Sequence, residues 1–199
     1  MDMNSLIYEK VLVGLIENGY IVLKEALSKE MQNSLYKIAV NTNMYKQAGI
    51  SSSNEKHIDN SKRRDKILWL DKDGSSVDEY LDFCEGLSGY LNRELYLGLN
   101  SYEAHFACYE EGDFYEKHLD SFSKNNTRIV TTVFYLNPEY KDSDGGNLVM
   151  YDKKANKLLS VAPKGGTLVV FLSDKFPHEV LPTYKKRYSI AGWFRSDVR

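Results

Sequence analysis

The chain has 199 residues, of which 42% are apolar, and a formal net charge of −2. This length and this apolar content suit one domain with its own core, which excludes a disordered chain and a disulfide-dependent miniprotein. The near balance of 26 basic and 28 acidic residues argues against general nucleic-acid binding, so we expect no nucleic-acid partner.

Neither a membrane segment nor a secretion signal is evident. The longest apolar runs, such as 168–172, are far shorter than a bilayer span, and the first residues lack the basic and apolar regions of a signal peptide. Cys84 and Cys108 are in no metal-binding spacing and are typical of reduced, buried thiols. We therefore expect a monomeric cytoplasmic protein with no membrane partner.

The first hundred residues carry mainly helical periodicity. Apolar spacing predicts helices over 5–18, from Ser28 onward and over 77–95, with short strands at 20–23 and from residue 67. Between them, residues 47–64 are polar and offer few core candidates, which predicts a long loop. A loop of that length in a compact domain is usually functional or disordered. We assign residues 1–100 to helical support and this loop.

From residue 101 the apolar period changes from that of a helix to that of a strand. The predicted strands cover 102–109, 128–136, 146–151, 157–161, 167–172 and 187–195. Strands at short intervals after a helical segment indicate an α+β protein with an antiparallel sandwich or jelly roll. Without a repeat or a second domain, residues 1–199 are expected to form one domain, with the jelly-roll core in 101–199.

The sharpest motif is His118-Leu119-Asp120, followed much later by His178. On a strand, residues two apart face the same way, so His118 and Asp120 could both reach one ion. Two histidines and one carboxylate form the facial triad of non-haem Fe(II) oxygenases, which leaves coordination positions open. Because His-x-Asp also occurs by chance, the assignment depends on the residues that accompany it.

One such residue is Arg187, which alternation places on the same strand face as Ser189 and Trp193. An inward arginine needs an anion because an unpaired buried charge is costly, and its planar fork suits a carboxylate. Tyr135 could offer the carboxylate a second hydrogen bond. The alternative is that Arg187 pairs with an acid of the protein and that Tyr135 belongs to the core.

The order of these motifs resembles that of the 2-oxoglutarate/Fe(II) prolyl hydroxylases, above all the hypoxia-sensor type and its bacterial relatives. The matching runs are Ala107-Cys108-Tyr109, His118-Leu119-Asp120, Arg128, Phe134-Tyr135-Leu136-Asn137, Gly145-Gly146, Pro177-His178-Glu179-Val180 and Arg187-Tyr188. Upstream, the run 63–69 (Arg63-Arg64-Asp65-Lys66-Ile67-Leu68-Trp69) is similar to the segment that follows the substrate loop of that subfamily. The resemblance covers most of the chain.

The resemblance implies a double-stranded β-helix (jelly-roll) core in which His118, Asp120 and His178 hold Fe(II). It also implies that 2-oxoglutarate chelates the iron and that Arg187 binds its distal carboxylate, helped by Tyr135. The further co-substrate pocket residues that it implies are Tyr109, Val133, Leu148 and Trp193. The substrate contacts that it implies are Arg63, Asp65, Arg128 and Trp193.

The activity implied is hydroxylation of a prolyl residue, at C4, in a protein or peptide. The reaction consumes O2 and converts 2-oxoglutarate to succinate and CO2, with ascorbate as an optional reductant. Asp65 and Arg128 are further expected to pair and to hold the base of the loop beside the metal.

Two alternatives stay open: an oxygenase of a free amino acid or small metabolite, and a catalytically silent jelly roll that binds peptide or senses 2-oxoglutarate. The complete set of metal ligands together with Arg187 argues against silence, because a degenerate copy would be expected to lose a ligand.

Overall fold

The computed structural model describes residues 3–52, 55–121 and 127–197. Within these residues the helices are α1 (Met3–Glu17), α2 (Lys29–Asn41) and α3 (Ser76–Leu95), with a short 3-10 helix at Asp142–Asp144. The strands are β1 (Tyr20–Leu23), β2 (Lys46–Gln47), β3 (Ile50–Ser52), β4 (Glu55–His57), β5 (Lys66–Trp69), β6 (Ser101–Tyr109), β7 (Tyr115–His118), β8 (Arg128–Tyr135), β9 (Leu148–Tyr151), β10 (Lys157–Val161), β11 (Leu168–Leu172), β12 (His178–Val180) and β13 (Arg187–Arg195). None of the described helices combines the length and the apolarity that a bilayer crossing requires.

The strands form two facing antiparallel sheets and a separate hairpin. The larger sheet has the order β1-β11-β8-β13-β6-β5-β2, and the smaller has the order β10-β9-β12-β7. Strands that are distant in sequence, such as β6 and β13, are neighbours with a continuous register over nine residues. This winding of the chain between two sheets is the double-stranded β-helix, or jelly roll, so the predicted fold class is confirmed.

Alternation along the strands of the larger sheet separates two apolar clusters. One face carries Phe106, Phe134 and Ile190, which pack in the same cluster as Leu87 and Leu91 of α3. The opposite face meets the smaller sheet in a second cluster. The helices therefore cover one side of the larger sheet, and the side chains of the other side are free to build a cavity between the sheets.

Serine caps set the starts of two helices. The Ser28 side chain accepts a hydrogen bond from the Met31 N–H, and Ser75 accepts one from the Val77 N–H, each at 3.1 Å. The predicted helices and the strand at 20–23 are confirmed, with the helix ends shifted by one or two residues. The strands predicted from residue 101 onward are also present, most of them with small shifts at their ends.

The polar segment 47–64 is not an irregular loop, so this part of the prediction is wrong. It begins in β2, which pairs with β5, continues through the β3–β4 hairpin, and closes with a bridge between Arg63 and Tyr115. Residues 53–54 lie outside the described part of the chain. The polar sequence concealed these strands because it lacks the apolar alternation by which a strand is recognised.

Asn137 fastens the end of β8 to the strand that carries Arg187. Its amide donates to the carbonyls of Pro163 and Tyr188 at 2.8 and 3.1 Å, and its side-chain oxygen accepts from the Tyr188 N–H at 2.7 Å. All of these groups are far apart in sequence, and Asn137 is buried.

We expect Asn137→Ala to lower the free energy of unfolding by about 1–3 kcal/mol, because it leaves buried backbone groups without partners. The matched control is Asn33→Ala, at an exposed position of α2, which should change stability by no more than about 0.5 kcal/mol. Urea unfolding of both variants measures the difference. Equal midpoints and slopes for Asn137→Ala and the unmodified protein would contradict the assigned role.

Candidate metal and co-substrate site

Two histidines face each other across neighbouring strands of the smaller sheet. β12 pairs with β7 in a register that sets His178 opposite His118. The centroids of the two imidazole rings are 4.3 Å apart. Strand pairing alone therefore brings together two metal-ligating side chains that are far apart in sequence.

Asp120 completes a three-residue cluster with the two histidines. Its Oδ1 lies 3.6 Å from Nε2 of His118, and its Oδ2 lies 3.5 Å from Nε2 of His178. The three ligand atoms all lie within 4.8 Å of one another, which suits a single ion. The expectation that Asp120 lies on the strand is wrong, because β7 ends at His118 and Asp120 lies in the bend that follows.

Backbone carbonyls fix the tautomer of both rings. Nδ1 of His118 lies 2.7 Å from the Glu116 carbonyl oxygen, and Nδ1 of His178 lies 3.0 Å from that of Phe176. A carbonyl only accepts, so each Nδ1 carries the hydrogen and each Nε2 keeps its lone pair. Burial lowers the pKa of His178 to about 4, which keeps this ring neutral at physiological pH.

The carboxylate is held by a hydroxyl that the sequence did not single out. Thr131 donates to Oδ2 of Asp120 at 2.8 Å and lies 2.9 Å from the hydroxyl of Ser173. Burial alone would raise the pKa of Asp120, but the neighbouring histidines and the Thr131 hydrogen bond hold it well below its usual range. Strand alternation places Thr131 on the same face as Tyr135. This shared face was the sequence signal that could have indicated that Thr131 reaches Asp120.

Arg187 is buried and has no carboxylate partner among the described residues. Its guanidinium carbon lies 4.0 Å from the ring centroid of Tyr109 and 5.7 Å from that of Tyr135. Nη1 makes a long contact of 3.4 Å with the Ser189 hydroxyl, and Nε has no hydrogen-bond partner within residues 3–52, 55–121 and 127–197. The alternative of an internal acid is thus not met in the described part of the chain, and the guanidinium is suited to an external anion.

One cavity connects the three-residue cluster with Arg187. The predicted residues that line it are Arg63, Asp65, Tyr109, His118, Asp120, Arg128, Val133, Tyr135, Leu148, His178, Arg187 and Trp193. His105 and Tyr115 line it as well. Neither residue was predicted at the site from sequence, although alternation along β6 puts His105 on the same face as Tyr109.

The predicted ion pair between Asp65 and Arg128 is wrong. Both oxygens of Asp65, which is fully buried, are taken by Arg63 at 2.6 and 2.9 Å. Arg128 instead donates twice to Oε1 of Glu103, at 2.9 and 2.7 Å, and lies 3.7 Å above the ring of Trp193. Both arginines line the cavity, Arg63 paired with Asp65 and Arg128 paired with Glu103.

A column of stacked groups connects the Arg63–Asp65 pair to a histidine of the cluster. The Arg63 guanidinium carbon lies 4.5 Å from the Tyr115 ring centroid. The Tyr115 ring stacks on His118 with centroids 3.6 Å apart and planes 16° from parallel. The end of the polar segment is thus in contact, through one tyrosine, with His118 itself.

The jelly roll places two histidines, one carboxylate and a buried arginine around one cavity, an arrangement suited to an enzyme that holds a metal ion beside an anionic co-substrate. The sequence pattern of the 2OG-Fe(II) oxygenase superfamily matches residues 104–195. A prolyl-4-hydroxylase from Pseudomonas putida is 33% identical, over 96% of this chain and 100% of that chain, with a TM-score of 0.87. The chain belongs to this superfamily and, within it, to the prolyl hydroxylases.

Two further proteins have similar sequences or structures. A Trichoplax adhaerens prolyl hydroxylase, solved in complex with a hypoxia inducible factor oxygen degradation domain peptide fragment, is 26% identical over 97% of this chain and 90% of that chain, with a TM-score of 0.86. Egl nine homolog 1 of Rattus norvegicus is 32% identical over 66% of this chain. The chain spans only 41% of the length of that relative.

Thr131→Val should weaken Fe(II) binding by roughly 10–100-fold, because it removes the hydroxyl that orients Asp120. The matched control is Thr132→Val. Thr132 is the next residue on β8, and its hydroxyl lies 2.8 Å from that of Tyr102 and not at the cluster. Anaerobic calorimetry of Fe(II) binding distinguishes the two variants. Equal losses of affinity in both would show that general damage to β8, and not the Asp120 hydrogen bond, is responsible.

Proposed function

We propose that this protein is a 2-oxoglutarate- and Fe(II)-dependent dioxygenase that hydroxylates a prolyl residue, at C4, of a protein or peptide. One atom of O2 would enter the prolyl residue, and the other would enter succinate as 2-oxoglutarate loses CO2. The observation that carries this proposal is one cavity shared by the three-residue cluster and a buried arginine to which the described residues offer no acid.

The described residues fit the ion and the co-substrate that the proposal requires. His118, Asp120 and His178 would hold Fe(II) through two neutral nitrogens and one carboxylate, a set suited to this ion. Bound Fe(II), with 2-oxoglutarate and O2, supplies the oxidising power for C–H hydroxylation that no side chain possesses. Three protein ligands leave the remaining coordination positions to small molecules.

Arg187 would bind the distal carboxylate of 2-oxoglutarate. A buried guanidinium in contact with the Tyr109 ring is already desolvated, so a carboxylate that pairs with it displaces little water. Burial raises the pKa of Tyr135 to about 12, which keeps its phenol protonated and able to donate to the same carboxylate. Arg187 would thereby set the direction in which the co-substrate lies between the two sheets.

The remaining cavity residues would exclude water and receive the substrate. Val133 and Leu148 offer apolar surface beside the co-substrate, which favours closure of the site around a bound peptide. Arg63, Asp65, Arg128 and Trp193 would contact that peptide at the cavity. A peptide substrate is supported by the Trichoplax adhaerens relative, which was solved with a bound peptide fragment.

The proposal extends to the setting in which the enzyme works. Residues 1–199 would act as one catalytic domain, monomeric and cytoplasmic, without a nucleic-acid or membrane partner. Ascorbate would serve as an optional reductant that keeps the iron in the Fe(II) state.

The direct test is incubation with Fe(II), 2-oxoglutarate, O2 and an acetylated, amidated heptapeptide library with proline fixed at the centre. We expect a mass gain of one oxygen on proline and stoichiometric succinate by mass spectrometry. The hypoxia inducible factor peptide bound by the Trichoplax relative serves as a second probe. Succinate release driven only by free amino acids would favour the metabolite oxygenase, and no succinate under any condition would favour a silent jelly roll.

His118→Ala, Asp120→Ala and His178→Ala should each abolish turnover, since loss of a direct ligand should exceed the roughly 10–100-fold cost of losing a residue that only supports a ligand. The matched control is Asp174→Ala, which removes an exposed carboxylate and should leave the rate unchanged. Rates of succinate formation at saturating Fe(II) provide the comparison. Full activity in Asp120→Ala would falsify the ligand assignment.

Arg187→Ala should raise the apparent constant for 2-oxoglutarate about 10–150-fold, since a hydrogen-bonded charge pair contributes about 1.5–3 kcal/mol. The apparent constant of Arg187→Lys should lie between those of the unmodified protein and Arg187→Ala, because lysine keeps the charge but lacks the planar fork. Steady-state titration of 2-oxoglutarate measures both constants. If neither substitution changes the constant, the carboxylate binds elsewhere.

A further inference from the structure

His105 is a buried histidine at the cavity that has been assigned neither to the ion nor to 2-oxoglutarate. It lies on the cavity face of β6, opposite Ala191 of β13 and Trp69 of β5. Its ring contacts Trp69 edge-on at 5.2 Å and is tilted against Trp193 at 5.5 Å. His105 and Trp193 line the cavity, and Trp69, which is 43% exposed, continues this group of rings to the surface.

The ring of His105 is a neutral acceptor. Its Nδ1 lies 3.2 Å from the Phe106 carbonyl oxygen, which can only accept, so the hydrogen resides on Nδ1 and Nε2 keeps a lone pair. Burial, followed by the positive charge of Arg63, lowers the pKa of His105 to about 4. No partner within hydrogen-bond distance of Nε2 is found among the described residues, and the ring borders the cavity.

The neighbouring ring supplies the complementary group. Nε1 of Trp193 is a buried donor without a partner among the described residues. A buried polar atom without a partner costs free energy unless a bound molecule satisfies it. Donor and acceptor thus lie on adjacent rings of one cavity wall, and an extended peptide carries both an N–H and a C=O that such a wall could bind.

His105 lies in the same cavity as the three-residue cluster but on a different strand from the residue that holds Asp120. Asp120 is held by Thr131 on β8, whereas His105 is on β6, two strands away and roughly 10 Å across the sheet. Along β6, His105 is also four residues, about 13 Å, from Tyr109, which covers Arg187. His105 is therefore on a different strand from Thr131 and well along β6 from Tyr109, so the roles assigned to the ion and the distal carboxylate do not require it.

We propose that His105 is a substrate-binding residue whose Nε2 accepts a hydrogen bond from a backbone N–H of the bound peptide, while Trp193 donates to a peptide carbonyl. This inference rests on the proposed function, because it names the group of the prolyl peptide that the cavity wall recognises. Proline has no N–H, so the donor belongs to a residue beside the hydroxylated proline. His105 would therefore help to choose peptides over free proline.

The test combines a protein change with a peptide change. The best heptapeptide from the proline-centred library is resynthesised with each flanking amide replaced in turn by an ester, which removes one N–H without adding bulk. We expect one ester to lower kcat/KM of the unmodified enzyme about 2- to 12-fold, the range for one neutral hydrogen bond. The same ester should have no effect on His105→Phe, which keeps an aromatic ring and lacks the acceptor.

His105→Gln, which restores an acceptor near the position of Nε2, should recover part of the sensitivity to that ester. Affinities for Fe(II) and 2-oxoglutarate should be unchanged in both variants, which separates peptide binding from damage to the metal site. Equal ester sensitivity in His105→Phe and the unmodified enzyme would overturn this inference and leave the proposed function intact. Failure of the unmodified enzyme to hydroxylate any library peptide would overturn both.

Discussion

His118 and His178 meet because β7 and β12 pair in one register, and every other feature of the site is arranged around that contact. A slip of one residue would turn one imidazole to the opposite face of the strand. Neighbouring contacts oppose such a slip, since β12 also pairs with β9 and His178 donates to the Phe176 carbonyl. A hydrogen bond from Thr131, which belongs to the other sheet, holds Asp120 beside the two histidines. The site therefore depends on both sheets at once.

Charge compensation distinguishes the arginines of the cavity. Arg63 is matched by Asp65, and Arg128 shares Glu103 with Arg195, whose Nη1 lies 3.0 Å from that carboxylate. In the part of the chain that the structure describes, Arg187 has aromatic rings and a distant hydroxyl in place of an acid. A dicarboxylate that enters the cavity would therefore find in Arg187 a cation without a counter-charge from the described residues. This contrast explains why an anion should bind at Arg187 and not at the other arginines.

Much of this arrangement was predictable from sequence because it follows from strand alternation. The same-face relation of Arg187, Ser189 and Trp193 needs only a period of two, and all three line the cavity. The ion pairs were not predictable in this way. Asp65 could pair either with Arg63, two residues away, or with Arg128, and the sequence alone does not choose between them. The sequence also gives no sign that Glu103 of β6 reaches Arg128 of β8 across the intervening strand. The strands β3 and β4 were missed because their polar sequence shows no alternation of apolar residues.

The central claim is that the three-residue cluster and Arg187 bind Fe(II) and 2-oxoglutarate together. Anaerobic titration with both, followed by visible absorption, tests it most directly, because bidentate binding of a 2-oxo acid to Fe(II) gives a weak charge-transfer band. We expect the band to develop only when both are present, to saturate at one equivalent per chain, and to be absent in Asp120→Ala. A band of full intensity in Asp120→Ala, or none in the unmodified protein, would contradict the account.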